Sequence, residues 1–254
     1  MLIDTHAHLG QYADHTAVAG HLDRFGLDQV WLHGRVCLDQ AACLKENSRI
    51  LQQMEQDPRT KGFCALHPSM GAAALTTLAQ CLDAGMLGAG EFHPAVQGFA
   101  LDDPNFHAIA GLLEQRGGIL GMYLEGSVGA TRETCSIRSF AEFMENYPKL
   151  KVLLVNYGGG LPFYELMKEI RSRLGNVCYD TSPALRAQRK DACQITAMVA
   201  GNHKLTFGSG ACIGDAQAPI QPVSFEELGL TDAELRQAVA CKNALRLCGK
   251  EVQA

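Results

Sequence analysis

Short apolar runs alternate with longer amphipathic stretches along the whole chain, and this alternation constrains the fold more than any other feature. A strand, a helical crossover and a further strand build a parallel sheet, because the chain must return before the next strand can begin. Eight such units in 254 residues predict a single (β/α)8 TIM barrel, with an open doubly wound sheet as the alternative. The predicted strands are 2–4, 29–33, 62–66, 87–92, 119–124, 152–155, 177–180 and 205–208.

Between the runs, residues 39–56 and 105–115 have helical periodicity, and Thr231 to Glu234 form a capping signal for a final helix. No linker, repeat or low-complexity tract interrupts the pattern. The sequence therefore predicts one barrel domain over residues 1–254.

Charge and composition exclude several classes of partner. The 22 Lys and Arg residues do not exceed the 27 Asp and Glu residues, so no basic excess exists to neutralise a nucleic-acid backbone. No apolar stretch approaches the roughly 20 residues of a membrane span. The start Met1-Leu2-Ile3-Asp4 does not look like a signal peptide, and none of the ten cysteines forms a CxxC pair. We expect a cytoplasmic protein whose cysteines are mostly small buried residues.

In a parallel barrel the active face lies at the carboxyl ends of the strands. His6 and His8 end the first run, and alternate residues of an extended segment point the same way, so two imidazoles share one side. Glu91 and His93 share a face at the end of the fourth run by the same reasoning. Two imidazoles and a carboxylate at one rim indicate a divalent metal site.

Other polar residues follow the remaining runs. Tyr123, Glu125 and Asn156 end strands whose bodies must be buried, so they either face a ligand or hydrogen-bond one another. Asp180 ends the seventh run, either as a cap or as a rim group. His67 is better explained by a hydrogen bond to the turn that follows it.

Several segments together resemble a known family. They are Ile3-Asp4-Thr5-His6-Ala7-His8, Gly90-Glu91-Phe92-His93-Pro94, Tyr147-Pro148-Lys149-Leu150-Lys151, Gly158-Gly159-Gly160-Leu161-Pro162, Asn176-Val177-Cys178-Tyr179-Asp180 and Phe207-Gly208-Ser209. The chain resembles the amidohydrolase superfamily, most closely its amidohydrolase 2 branch with the aminocarboxymuconate-semialdehyde decarboxylase-like proteins. The resemblance implies a (β/α)8 barrel with one or two divalent metals at the strand ends.

Members of that family use a first-strand HxH pair, histidines ending strands five and six, and an aspartate ending strand eight. His6 and His8 match the first element, whereas Asn156 stands at the strand-six position and Gly210 at the strand-eight position. Either Tyr123 or Glu125 stands where the strand-five histidine would be. Glu91 matches the strand-four glutamate of binuclear relatives. The missing general base leaves Glu125, Glu91 or Asp215 to take that task.

Two hypotheses of different classes follow. The first is a metal-dependent hydrolase, or decarboxylase-like lyase, that acts on a small carboxylate, amide or cyclic ester. It has one zinc or manganese ion and a small-molecule substrate, and the family resemblance adds an expected homodimer. The second is a catalytically degenerate barrel that binds a small polar ligand without metal. In the first, the metal ligands are His6, His8 and Glu91, with His93 or Glu125 as the alternative third ligand. The catalytic groups are Glu125, Tyr123 and Asn156, and the substrate-binding groups are His93 and Asp180.

Overall fold

A single sheet of parallel strands organises the molecule. The computed structural model describes residues 1–124, 135–182, 189–200, 202–215 and 225–250, and within them nine strands lie in the order β8-β7-β6-β5-β4-β3-β2-β1-β9. Every neighbouring pair is parallel. The strands are β1 (Ile3–Leu9), β2 (Gln29–Leu32), β3 (Thr60–Cys64), β4 (Gly88–Phe92), β5 (Ile119–Tyr123), β6 (Lys151–Val155), β7 (Val177–Asp180), β8 (Leu205–Thr206) and β9 (Ala211–Ile213).

Helices connect successive strands, and their ends follow from the local sequence. The side chains of Asp14, Asp39 and Asp103 accept hydrogen bonds from the first-turn amides of three helices, which satisfies donors that a helix cannot pair internally. The helices are α1 (His15–Phe25), α2 (Gln40–Gln56), α3 (Ala72–Asp83), α4 (Pro94–Gln97), α5 (Pro104–Arg116), α6 (Ile137–Asn146), α7 (Leu161–Tyr164), α8 (Lys168–Arg173), α9 (Lys190–Ala200), α10 (Ala233–Gln237) and α11 (Asn243–Leu247). Short 3-10 segments lie at Pro68–Met70 and Asn156–Gly160, and a π-helical segment, Ala238–Lys242, joins α10 to α11.

The sheet curls until its last segment returns to the first strand. The backbone N–H of Thr5 donates to the carbonyl of Phe207 at 2.8 Å, and the hydroxyls of Thr5 and Thr206 lie 2.9 Å apart. After Thr206 the chain leaves the regular ladder and forms β9, which pairs with β1. The predicted parallel barrel is confirmed, although β9 was not predicted.

Apolar side chains fill both sides of the curled sheet. Inside it, the side chains of Trp31, Phe63 and Leu153 pack together, and residues of the last helical segment cover one end of this cluster. Of the ten free cysteines, all within the described residues, eight are buried, as the sequence predicted; Cys248 is half-buried and Cys212 is exposed. None of the described helices combines the length and apolar character that a membrane span requires.

Two local predictions need correction. The final helix is capped by the side chain of Asp232, which accepts from the amide of Leu235, so its cap lies one residue after Thr231. The second strand ends at Leu32, so His33 lies just beyond it. The reason for the second difference is that His33 turns its ring into the interior of the sheet, where it stacks on Phe63 with ring centroids 4.0 Å apart.

Candidate metal centre

Three side chains from two strands converge at the carboxyl ends of the sheet. Nε2 of His6 lies 3.0 Å from Nε2 of His8 and 3.0 Å from Oε2 of Glu91, and Nε2 of His8 lies 3.3 Å from the same carboxylate oxygen. Among the described residues this is the only group of three side chains close enough to share an ion. The structure therefore brings together the three residues that the strand alternation predicted as metal ligands.

A glycine allows Glu91 to reach this position. Gly90 has a φ of 141°, and a Cβ atom there would lie 2.2 Å from the carbonyl oxygen of Gly121 on the neighbouring strand. Only a residue without a side chain fits such a backbone conformation and such a close contact between strands. Gly90 and Gly121 thus form the close contact that positions the Glu91 carboxylate.

The far side of the His6 ring faces β7 and the residues after it. Nδ1 of His6 lies 2.6 Å from the hydroxyl of Ser182 and 2.9 Å from Oδ2 of Asp180. Asp180 is fully buried, and its Oδ1 accepts from the amide of Asn156 at 3.0 Å and from the amide and hydroxyl of Ser182 at 3.0 and 2.7 Å. Asp180, expected at the sequence level to bind substrate, lies instead behind the His6 ring.

His33, which sequence reasoning missed, supports the second imidazole. Its backbone carbonyl lies 3.1 Å from Nδ1 of His8, and its own Nε2 donates to the carbonyl of Thr5 at 2.9 Å. The signal was available, because the second apolar run ends in a third imidazole. Burial lowers the pKa of His33 well below its usual value, and the neighbouring His6 and His8 lower it further. His33 is therefore a neutral support rather than a second cation.

Opposite charges dominate the electrostatics of the cluster. Burial alone lowers the pKa of His6, but the charges of Asp180 and Glu91 and their hydrogen bonds outweigh it and raise the pKa to about 10. Burial alone raises the pKa of Glu91, but hydrogen bonds with His6 and His8 hold it well below its ordinary value. Without a metal, the cluster therefore holds a proton at neutral pH as an imidazolium–carboxylate pair.

The hydrogen-bond pattern tests whether a divalent cation fits. A neutral imidazole carries one N–H, and the neighbours of Nδ1 are oxygen acceptors in His6 and in His8. Both Nε2 atoms then direct a lone pair to the place that Oε2 of Glu91 also faces. Two imidazole nitrogens and one carboxylate oxygen are a common ligand set for catalytic zinc and also suit manganese. The residues present fit a divalent cation.

Two further predicted site residues, His93 and Tyr123, contact each other. The rings of His93 and Tyr123 stack with centroids 4.4 Å apart at the ends of β4 and β5, and both are half-buried. Glu125 lies outside the described residues.

His67 lies 2.9 Å from the carbonyl of Gln97 and accepts from the amide of Ser69, so its predicted structural role is confirmed. Asp215 accepts from the amide of Gln11 and from the thiol of Cys212.

Two of the positions at which the sequence departs from the family pattern, Asn156 and Gly210, have left-handed backbones. Asn156 has a φ of 55° and begins a turn in which residues 157–160 also have positive φ. Gly210 has a φ of 62° and donates its N–H to the carbonyl of His6 at 2.8 Å. A Cβ at Gly210 would lie 3.0 Å from Cβ of Ser182. Gly210 is thus packed against the residue that contacts the His6 ring.

The curled parallel sheet, with ionisable groups clustered at the carboxyl ends of β1 and β4, defines the class of parallel α/β barrels with a polar cluster at this rim. The model of the amidohydrolase family Amidohydro_2 matches residues 3–250. The chain belongs to this amidohydrolase family. No match is found among curated proteins.

Solved structures of low sequence identity share the fold. A dihydroxybenzoic acid decarboxylase from Polaromonas, with bound manganese and the inhibitor 2-nitroresorcinol, has a TM-score of 0.67 at 14% identity, covering 98% of this chain and 96% of that one. A 5-carboxyvanillate decarboxylase from Sphingomonas paucimobilis has a TM-score of 0.68 at 15% identity, covering 98% and 99%. An Acinetobacter baumannii protein assigned as a 2-pyrone-4,6-dicarboxylic acid hydrolase, with citric acid bound, has a TM-score of 0.65 at 15% identity, covering 98% and 99%.

Proposed function

We propose that this protein is a metal-dependent enzyme that hydrolyses or decarboxylates a small carboxylate. The observation that carries the proposal is the convergence of Nε2 of His6, Nε2 of His8 and Oε2 of Glu91 within hydrogen-bond distance of one another. In the metal-free state these three atoms share one proton, which carries a single positive charge. A divalent cation at the same place would contact all three atoms and carry two positive charges.

His6, His8 and Glu91 hold the ion, which is manganese or zinc. When bound, such a cation supplies Lewis acidity toward a carboxylate or carbonyl oxygen. Manganese is supported by the Polaromonas relative, and zinc by the ligand set. Burial of these side chains removes competing water, which strengthens electrostatic interactions with a bound anion.

The stacked His93 and Tyr123 rings orient the substrate, because His93 follows β4, which carries Glu91, and Tyr123 ends the neighbouring β5, and both rings present half-buried planar surfaces. Tyr123 carries a hydroxyl, and Asn156 carries an amide at the end of β6, so both are suited to hold a polar group of the substrate during reaction. We keep Glu125 as the proposed proton-transfer group on the basis of the sequence. Asp180 contacts the ring of His6, so we propose that it supports that ring rather than binding the substrate.

The substrate class follows from the relatives and from the charge of the site. Two relatives are decarboxylases of aromatic acids, and a third is assigned to a pyrone dicarboxylate. A cation held by only one carboxylate and two neutral imidazoles keeps a net positive charge of about one, which attracts an anionic substrate. A small carboxylic acid satisfies both arguments.

Metal content is the first test. Protein expressed with added manganese or zinc should contain close to one equivalent of metal by elemental analysis, whereas His6→Ala, His8→Ala and Glu91→Gln should contain little. His67→Ala is the matched control, because it removes another strand-end imidazole whose hydrogen bonds go to the loop. Wild-type protein that stays metal-free in excess manganese and in excess zinc would refute the proposal.

A degenerate barrel that binds a small polar ligand without metal is the second candidate. The observation that favours it is Gly210, which offers no side chain in the segment after β8, and where an added Cβ would lie 3.0 Å from Cβ of Ser182. Turnover separates the two candidates. Release of carbon dioxide from hydroxybenzoates, or of acid from lactones, that depends on metal and on His8 supports the enzyme. Ligand binding with no turnover in metal-loaded protein supports the degenerate barrel.

A further inference from the structure

A buried carboxylate faces the side of His6 that is turned away from the metal position. Oδ2 of Asp180 lies 2.9 Å from Nδ1 of His6 and has no hydrogen-bond partner of ideal geometry among the described residues. The hydroxyl of Ser182 lies between the two groups, 2.6 Å from Nδ1 of His6 and 2.7 Å from Oδ1 of Asp180. Asp180 is fully buried and Ser182 nearly so, so neither is exposed to solvent.

We propose that Asp180, together with Ser182, is a positioning residue that fixes the proton of His6 on Nδ1 and so reserves Nε2 for a divalent cation. The inference rests on the proposed metal-dependent function, and it assigns to Asp180 a role other than contact with substrate. The premise is geometric: the two oxygen atoms nearest Nδ1 of His6, Oγ of Ser182 and Oδ2 of Asp180, are both placed to accept a hydrogen bond from it.

The direction of the hydrogen bonds follows from the groups present. A carboxylate has no proton to donate, so the Ser182 hydroxyl donates to Oδ1 of Asp180 and is left with lone pairs toward His6. Nδ1 of His6 therefore meets only acceptors, whether its proton is directed to Ser182 or to Asp180. A lone pair on Nδ1 at 2.9 Å from a carboxylate oxygen would be repelled, which selects the tautomer with the proton on Nδ1.

The backbone makes this arrangement sensitive to one isosteric change. Oδ1 of Asp180 accepts from the amides of Asn156 and Ser182, and these N–H groups cannot become acceptors. In Asp180→Asn the amide oxygen must stay at the Oδ1 position, so the new NH2 group faces Nδ1 of His6. That group needs an acceptor, which moves the imidazole proton to Nε2 and directs it at the metal position.

An unusual order of effects follows. Asp180→Ala removes the acceptor and leaves both tautomers accessible, which should weaken metal binding by about 10- to 100-fold, the usual effect of removing such a partner. Asp180→Asn should weaken it at least about tenfold more than Asp180→Ala, because it selects the wrong tautomer. Ser182→Ala keeps the Asp180 carboxylate as acceptor and should cost less than Asp180→Ala. A role confined to packing would give the reverse order, with the isosteric Asp180→Asn the mildest.

The test measures the affinity of the whole chain for manganese and for zinc by titration against a chromophoric chelator. Asp4→Asn is the matched control, because Asp4 is as buried as Asp180 and lies on the strand of His6, but accepts from the backbone amide of His6 rather than from its ring. It should retain affinity within about threefold of wild type at temperatures where it is folded, as followed by circular dichroism.

A second readout does not need metal. In metal-free protein with 15N-labelled histidine, His6 carries a proton on both ring nitrogens, and its Nδ1–H should give a downfield resonance because Asp180 and Ser182 hold that proton. Asp4→Asn should retain this resonance, and both Asp180 variants should lose it. If wild type binds no metal but has this resonance, the proposed function fails and the positioning of His6 stands. If wild type binds metal and Asp180→Asn binds it as tightly as Asp180→Ala or better, or if the resonance survives in both Asp180 variants, the positioning role is refuted.

Discussion

Nε2 of His6 and Oε2 of Glu91 lie 3.0 Å apart although 85 positions separate them in the chain. His6 is mostly protonated at neutral pH because the nearby carboxylates raise its pKa to about 10, despite the opposing effect of burial. Glu91 is already deprotonated, since its pKa is held well below the ordinary value. A cation that binds between them must therefore displace a proton from His6.

We expect metal affinity to rise with pH by close to tenfold per unit until the pH nears 10, because the proton competes with the cation for His6. The sign follows from the raised pKa: the competing proton is bound below about 10 and lost above it. Titration calorimetry between pH 6.5 and 8.5 in buffers of different ionisation enthalpy should report release of about one proton. An affinity independent of pH would show that His6 is not a ligand.

Gly90→Ala should destabilise the protein and displace Glu91, because the added Cβ would overlap the carbonyl of Gly121 and the φ of 141° disfavours any side chain. The expected loss in the free energy of unfolding is about 2–4 kcal/mol. Gly20→Ala on α1 is the matched control, because its Cβ meets nothing within 4 Å and it should stabilise by about 0.5–1 kcal/mol. Urea denaturation of the metal-free proteins measures both, and equal stabilities would contradict the close contact.

Introducing the family residue at Gly210 should weaken the site rather than improve it. Gly210→Asp places a side chain on a left-handed backbone and against Ser182, which contacts the ring of His6. We expect a cost of about 1–3 kcal/mol in unfolding free energy. Asn156→His should cost less, since histidine is among the residues that tolerate this conformation. Thermal unfolding and metal titration of the two single variants give the comparison; tighter metal binding by Gly210→Asp would favour the degenerate-barrel candidate.

Trp31, the single tryptophan, should report the integrity of the interior cluster. Its side chain is fully buried among residues that include Phe63, and its indole N–H donates to Gln29 at 2.8 Å. We expect blue-shifted fluorescence that iodide does not quench, and a loss of about 3–5 kcal/mol in Trp31→Ala. Trp31→Phe is the milder control. Emission typical of exposed indole in the folded protein would contradict the packing described above.

Much of the centre could be predicted from local sequence. The alternation of side chains along a strand placed His6 beside His8, and the same rule placed Glu91 at the same rim once a parallel barrel was expected. The caps at Asp39 and Asp103 follow from residue type and position alone. These features depend on residue type and on neighbours within a few residues, so the sequence by itself determined them. The class of fold was determined by the alternation of apolar runs and amphipathic stretches along the chain.

The roles of Asp180, His33 and Gly90 were decided only by the tertiary structure. Asp180 looks like a rim residue in sequence, but the curl of the sheet brings β7 behind β1 and turns its carboxylate toward Nδ1 of His6. His33 and Gly90 have their roles because of Thr5, Phe63 and Gly121, which are distant in the chain. The physical reason is that hydrogen bonds and close contacts between strands depend on register and curvature, and these result from packing the whole barrel rather than from any one segment.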